Sequence, residues 1–164
     1  LYKILIAMSL ALLSACSATG PKFNAVSNPT NDSLVYIYRP KLFQNGAISP
    51  GIVVDNEEKL LLQNNGYTYF YLQPGEHQFS VLLSDRYTPA EPTKIFMEAG
   101  AVYYLKLFTS NTFNSMPGVG LSINRRFALI DVKDEVGKAE IGECRYLNPS
   151  ESKKFSKSYF LESN

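Results

Sequence analysis

The chain has no tryptophan, one histidine and only two cysteines among its 164 residues. With one imidazole, His77, a catalytic base would need a nucleophile and an orienting acid to converge on it from elsewhere. As a metal ligand His77 would need companions, and Cys144 with scattered carboxylates makes a poor zinc set; no metal or other cofactor is expected. Charge of either sign is not in excess: 16 Lys and Arg stand against 15 Asp and Glu. That balance lacks the basic footprint of a nucleic-acid binder, so no nucleic-acid partner is expected. No apolar run approaches the roughly 20 residues that a helix needs to cross the hydrocarbon core. Gly118-Val119-Gly120 is too short for a phosphate loop and lacks the strand–helix context.

What the chain does have begins at its start. Lys3 is followed by an apolar run over residues 4–15, which closes on small residues. That is the layout of a secretory signal rather than of a transmembrane anchor. Leu13-Ser14-Ala15-Cys16 resembles the bacterial lipobox: a leucine, two small residues and a cysteine. In proteins with that motif the thiol receives a diacylglyceryl group, the signal is cut before the cysteine, and the new amino group is often acylated. The chemistry needs these residue types, because the thiol is the nucleophile for thioether formation and small side chains admit a peptidase. Residues 1–15 are therefore read as a lipoprotein signal peptide and Cys16 as the lipidation site. The chain opens on Leu1 rather than Met, which fits a leader short of a residue or two, or an unusual start codon. With Cys16 lipidated, Cys144 has no disulfide partner, and it is read as a small buried apolar residue.

Cleavage leaves about 149 residues, enough for one domain with a real core. Residues 16–33 are rich in Ser, Thr, Asn, Pro and Gly and read as a flexible tether spanning roughly 20–25 Å. From residue 34 the texture is β-branched and aromatic, with 11 Tyr and 10 Phe in the chain. Short apolar segments are punctuated by Asn56-Glu57, Asn65-Gly66, Pro74-Gly75 and Ala99-Gly100. The expected fold is all-β: an antiparallel β-sandwich of about 7–8 short strands over residues 34–147. A looser stretch is expected at 109–120, and one C-terminal helix at 134–147 with Val136, Ala139, Cys144, Tyr146 and Leu147 on one side. Residues 148–164 read as a polar tail, in which 158–161 could add an edge strand.

Three segments are family-like: "VYIYRP" at 35–40, "GYTYFYLQPGEH" at 66–77 and "AGAVYYLKL" at 99–107. In order and spacing they resemble a bacterial lipoprotein family catalogued as domain of unknown function 2846, over roughly residues 34–145. The P-G-x-H hairpin also resembles β-sandwich modules of the PEGA type. The resemblance implies a β-sandwich lipoprotein and no activity.

Several residues carry both a structural and a functional reading. Arg39 alternates with Val35 and Ile37 and points inward at a strand end. There it either pairs with a carboxylate or with backbone carbonyls that close the sandwich, or it contacts an anionic ligand. Tyr67, Tyr69 and Tyr71 share one strand face, which serves as a cross-strand ladder or as an exposed platform for glycan or protein. His77 alternates with Phe79, Val81 and Leu83 and reads as a hydrogen-bonded ring at the rim of the core. No catalytic constellation emerges, and no enzyme activity is expected. The expected protein is a lipid-anchored cell-envelope lipoprotein with a structural or protein- or ligand-binding domain. Its partners are the membrane, through the lipid on Cys16, and an envelope protein or glycan. Ser17 after the cysteine resembles the outer-membrane sorting signal of enterobacterial lipoproteins, which places the domain in the periplasm. The rivals are a glycan-binding module using the tyrosine face and an envelope hydrolase or transferase using His77.

Overall fold

A computed structural model describes residues 17–28, 30–83, 88–116 and 120–152. Cys16, the leader and residues 153–164, with the segment 158–161, lie outside the described residues.

Two sheets face each other. The first holds β1 (Ser33–Tyr38), β4 (Gly66–Leu72), β8 (Val102–Met116), β9 (Gly120–Val132) and the two-residue strands β6 (Thr88–Pro89) and β10 (Arg145–Tyr146), in the order β10-β4-β1-β8-β9-β6. The second holds β2 (Gly51–Val54), β3 (Glu57–Leu61), β5 (Gly75–Leu82) and β7 (Thr93–Met97), in the order β3-β2-β5-β7. One helix, α1 (Asp134–Ile141), follows β9. The all-β sandwich with a C-terminal helix is therefore the observed fold.

Strand β1 is the spine. All six of its residues are buried, because both of its faces are covered. Val35 and Ile37 point between the sheets, into a core with Ile52, Leu60, Phe79 and Leu105. Leu34, Tyr36 and Tyr38 point the other way, into a second cluster with Tyr67, Tyr104, Ile141 and Cys144. A continuous apolar run is what a strand buried on both faces requires.

The strand directions correct one expectation. The first sheet is mixed: β1 pairs antiparallel with β4 but parallel with β8, and β10–β4 and β6–β9 are also parallel. The reason is where the chain re-enters. After β7 in the second sheet, the Glu98–Ala101 turn delivers β8 to the end at which β1 begins, where Gly100 N–H bonds Asp32 O and Leu34 N–H bonds Ala101 O. Both strands then leave from that end.

Three further boundaries differ. The described part of the stretch at 109–120 is not loose: it is the far half of the β8–β9 hairpin, paired in register from Thr109–Phe127 to Met116–Gly120, while residues 117–119 lie outside the described residues. The first hairpin turns at Asp55-Asn56, with φ of 50° and 66°, one residue earlier than expected and as a two-residue turn of this kind demands. The helix stops at Ile141; Arg145 and Tyr146 instead pair with Gly66 and Tyr67 on β4. Its buried residues are Gly137 and Ile141, while Val136 is exposed.

The tether expectation is also corrected for residues 17–28, which dock onto the domain. Ala18 N–H bonds Asn64 O, Tyr146 N–H bonds Pro21 O, and Phe23 N–H bonds Cys144 O. Phe23 stands edge-on to the rings of Tyr36 and Tyr67, at 5.4 and 5.2 Å between centroids. Polar composition describes a tether, but these backbone groups find partners at Asn64 and along 144–146, and the one aromatic finds a cluster to join.

Candidate functional site

Arg39 follows β1 directly and is completely buried. Its Nη2 donates to Asn45 O at 2.7 Å, and its Nη1 to Ile48 O at 2.5 Å and to Leu62 O at 3.4 Å. Nε has no hydrogen-bond partner among the described residues. Burial pulls the guanidinium down to about 10, still well above neutral pH, so it stays charged. Its acceptors are main-chain carbonyls of the loop at 41–50 and of Leu62, just past β3. Of the readings open at the outset, the geometry realises the one in which Arg39 closes the sandwich through backbone carbonyls. Asn64 holds the same loop from the other side: its Oδ1 accepts from Leu42 N–H and its Nδ2 donates to Leu42 O.

The three tyrosines of β4 share the outer face, as their alternation dictates, but they are not equally open. Tyr67 is buried, Tyr69 is half-buried, and Tyr71 is 44% exposed. Tyr69 packs between Tyr36, Tyr71 and Tyr146. The docked N-terminal segment bonds to these hydroxyls: Asn24 N–H to Tyr67 Oη, Val26 N–H to Tyr36 Oη, and Tyr71 Oη–H to Ser27 O. Burial raises the phenols of Tyr36 and Tyr67 above the usual range and Tyr104 to about 12, so all stay neutral. The face is the floor of a second core, with Tyr71 at its margin.

His77 sits near the start of β5, with its side chain 14% exposed. Nδ1 lies 2.6 Å from Asp55 Oδ2, and Nε2 lies 2.7 Å from Gln73 O. Carboxylate and carbonyl oxygens only accept, so the ring satisfies both as an imidazolium. Burial opposes that charge, but the bond to Gln73 O and the bond and charge of Asp55 outweigh it and raise the His77 pKa. Asp55 is itself held below the usual carboxylate range: burial would raise it, and the Gln78 N–H together with His77 more than offset this. The pair ties the β2–β3 turn to the β4–β5 turn. Sequence reasoning does not find Asp55 as a partner, because it is 22 residues away and no motif links it to His77.

Cys144 is buried, with its thiol pushed up to about 12, first by burial and then by Glu140 and Glu143. Its Sγ–H points at Arg39 O. Among the described residues no cluster of three or more metal-ligating side chains occurs, and no helix is long and apolar enough to cross a membrane.

One open cleft, of about 650 Å³, went unread in the sequence. It lies where the edges of the two sheets part, between Leu61 of β3 and Tyr146 of β10. Its polar walls come from Thr19 in the docked segment and from Gln63, Asn148 and Glu151. No sequence signal marks it, because its walls come from four separate stretches of chain and none forms a motif.

A family model described as "Protein of unknown function (DUF2846)" matches residues 29–120. The chain belongs to this family. The match takes in Arg39, all three β4 tyrosines, Asp55 and His77, so the DUF2846 region holds the first sheet's spine and the whole second sheet. The docked segment up to Asn28, helix α1 and β10 lie outside it. No curated protein matches the chain.

Proposed function

We propose that this DUF2846 protein is a lipid-anchored protein of the bacterial cell envelope whose β-sandwich is a binding or structural module rather than an enzyme. The observation that carries the reading is the lipobox at Leu13–Cys16, set directly before a segment that packs onto the domain. The side chains best suited to chemistry are occupied in holding the fold. His77 has both ring nitrogens engaged, Arg39 clamps a loop, and Cys144 is a buried, protonated thiol. Ser17 favours the outer membrane with the domain in the periplasm. The cleft between the sheet edges, polar on one side and bounded by Tyr146 and Leu147, is the place for a ligand or a partner segment. The tyrosine face supports a glycan platform less well, since Phe23 and the Asn24–Ser27 backbone cover it.

The test is metabolic labelling with a palmitate analogue, followed by membrane fractionation. Wild type is expected to carry label and to sediment with membranes. Cys16→Ser is expected to lose both, because burial contributes about 0.8 kcal/mol per methylene and a chain without lipid has nothing comparable. Undiminished label in Cys16→Ser overturns the anchoring.

A further inference from the structure

The loop at 41–48 presents an apolar pair to solvent although its backbone is tightly held. Phe43 is fully exposed and Leu42 is 37% exposed. Leu42 is gripped at both N–H and C=O by Asn64, Phe43 O accepts from Gly46 N–H, and the carbonyls of Asn45 and Ile48 are clamped by Arg39. A loop held at so many points is built to hold its side chains where they are. Asn64 is also where the chain's lipid end arrives. Its carbonyl accepts from Ala18 N–H at 2.9 Å and from Ser17 Oγ–H at 3.1 Å. Cys16 precedes Ser17, and adjacent Cα atoms lie about 3.8 Å apart. The cysteine that would carry the lipid is therefore bonded directly to a residue that hydrogen-bonds Asn64, the residue whose side chain grips Leu42.

We propose that Leu42 and Phe43 form a membrane-contact edge, inserting into the bilayer that holds the lipid on Cys16, so that the domain sits on the membrane instead of hanging from a tether. The proposal rests on the lipid anchoring argued above and gives it an orientation. Lys41 is exposed beside the pair and suits anionic headgroups. The apolar edge continues onto the β8–β9 hairpin: Asn45 Nδ2 bonds Asn111 Oδ1, and two residues on, the exposed Phe113 faces the exposed Ile123 across the strands. The Pro74-Gly75 turn lies at the opposite end of β4 from Asn64, so Glu76 marks the far pole of the domain.

The experiment uses the full lipidated chain in vesicles of phosphatidylethanolamine and phosphatidylglycerol. An environment-sensitive fluorophore is placed at Phe43→Cys or at Glu76→Cys, and Cys144, being buried, does not compete for the label. Emission at position 43 is expected to shift to the blue and to be quenched by lipids carrying a shallow nitroxide, while position 76 shows neither. If the protein sediments with the vesicles and position 43 behaves like position 76, the contact edge is overturned while the anchoring stands, and the apolar loop is left to a protein partner. If the chain carries no lipid and does not sediment, both fall.

Discussion

At the scale of single residues, the Asp55–His77 pair makes stability depend on pH in a definite direction. The pKa of His77 is raised in the fold, so its share of stability is complete below the ordinary value of 6.5 and disappears as pH rises through the higher folded value. That of Asp55 is lowered, so its share is present above the ordinary 3.8 and is lost as pH falls through the folded value. The pair therefore stabilises most between those limits. Asp55→Asn is expected to cost more near pH 5 than near pH 9, measured as the difference in urea midpoint from wild type; an equal difference at both would mean that the pair does not titrate with folding. Arg39 raises a separate point. Arg39→Ala leaves the carbonyls of Asn45 and Ile48 unpaired inside the protein, a loss on the order of 3 kcal/mol. Arg39→Lys keeps a charge but cannot fork between two carbonyls, and is expected to lose about 1–2 kcal/mol. Denaturation curves for the two variants check the order; a neutral Arg39→Ala would show that the loop does not need the clamp.

At the scale of elements, helix α1 shows how a local rule inverts in context. Gly137 is a poor helix former, and Ala there gains about 1 kcal/mol in an isolated helix. In the fold a Cβ at this position would lie 2.3 Å from Tyr104 Cγ and 2.5 Å from Tyr104 Cβ. The glycine lets the helix axis approach the sheet, while Ile141 enters the outer cluster and Glu140 accepts from Tyr38 Oη–H and Lys106 Nζ–H. Gly137→Ala is thus expected to destabilise by about 1–3 kcal/mol in spite of its propensity, whereas the solvent-exposed Val136→Ala should be nearly neutral. A thermal melt that ranks them the other way would show that the helix is free to slide outward.

At the scale of the whole molecule, the sandwich has two cores, and the second needs parts that come from both ends of the described chain. The docked segment supplies Phe23 and Val26, and the region after β9 supplies Ile141, Cys144 and Tyr146. A chain beginning at Asp32 uncovers Tyr36 and Tyr67. It is expected to fold less stably than one beginning at Ser17, by about 1–3 kcal/mol for two lost aromatic pairs and their buried area. Matched urea unfolding of the two chains measures this, and equal midpoints would return residues 17–28 to the role of a loose tether.

Much of this architecture is legible from short-range information. The strands up to β5 follow from alternation and from Asn-Gly and Pro-Gly punctuation, both local to a few residues. The inward aim of Arg39 and the shared face of Tyr67, Tyr69 and Tyr71 follow from the two-residue period of a strand. What covers each face, however, is decided by chain segments that arrive from far away. Whether Tyr67 is a platform or a core residue depends on Phe23, 44 residues earlier, and on Tyr146, 79 residues later. The parallel β1–β8 pairing, the Asp55 partner of His77, the carbonyl clamp on Arg39 and the place of Ser17 against Asn64 are likewise non-local. The sequence by itself determined the β-sandwich class, the turns and the candidate residues, because those rest on backbone periodicity and steric preference. Only the tertiary structure decided which polar groups are spent on the fold and which apolar ones stay exposed, because burial is a property of the assembled surface and not of any one stretch of chain.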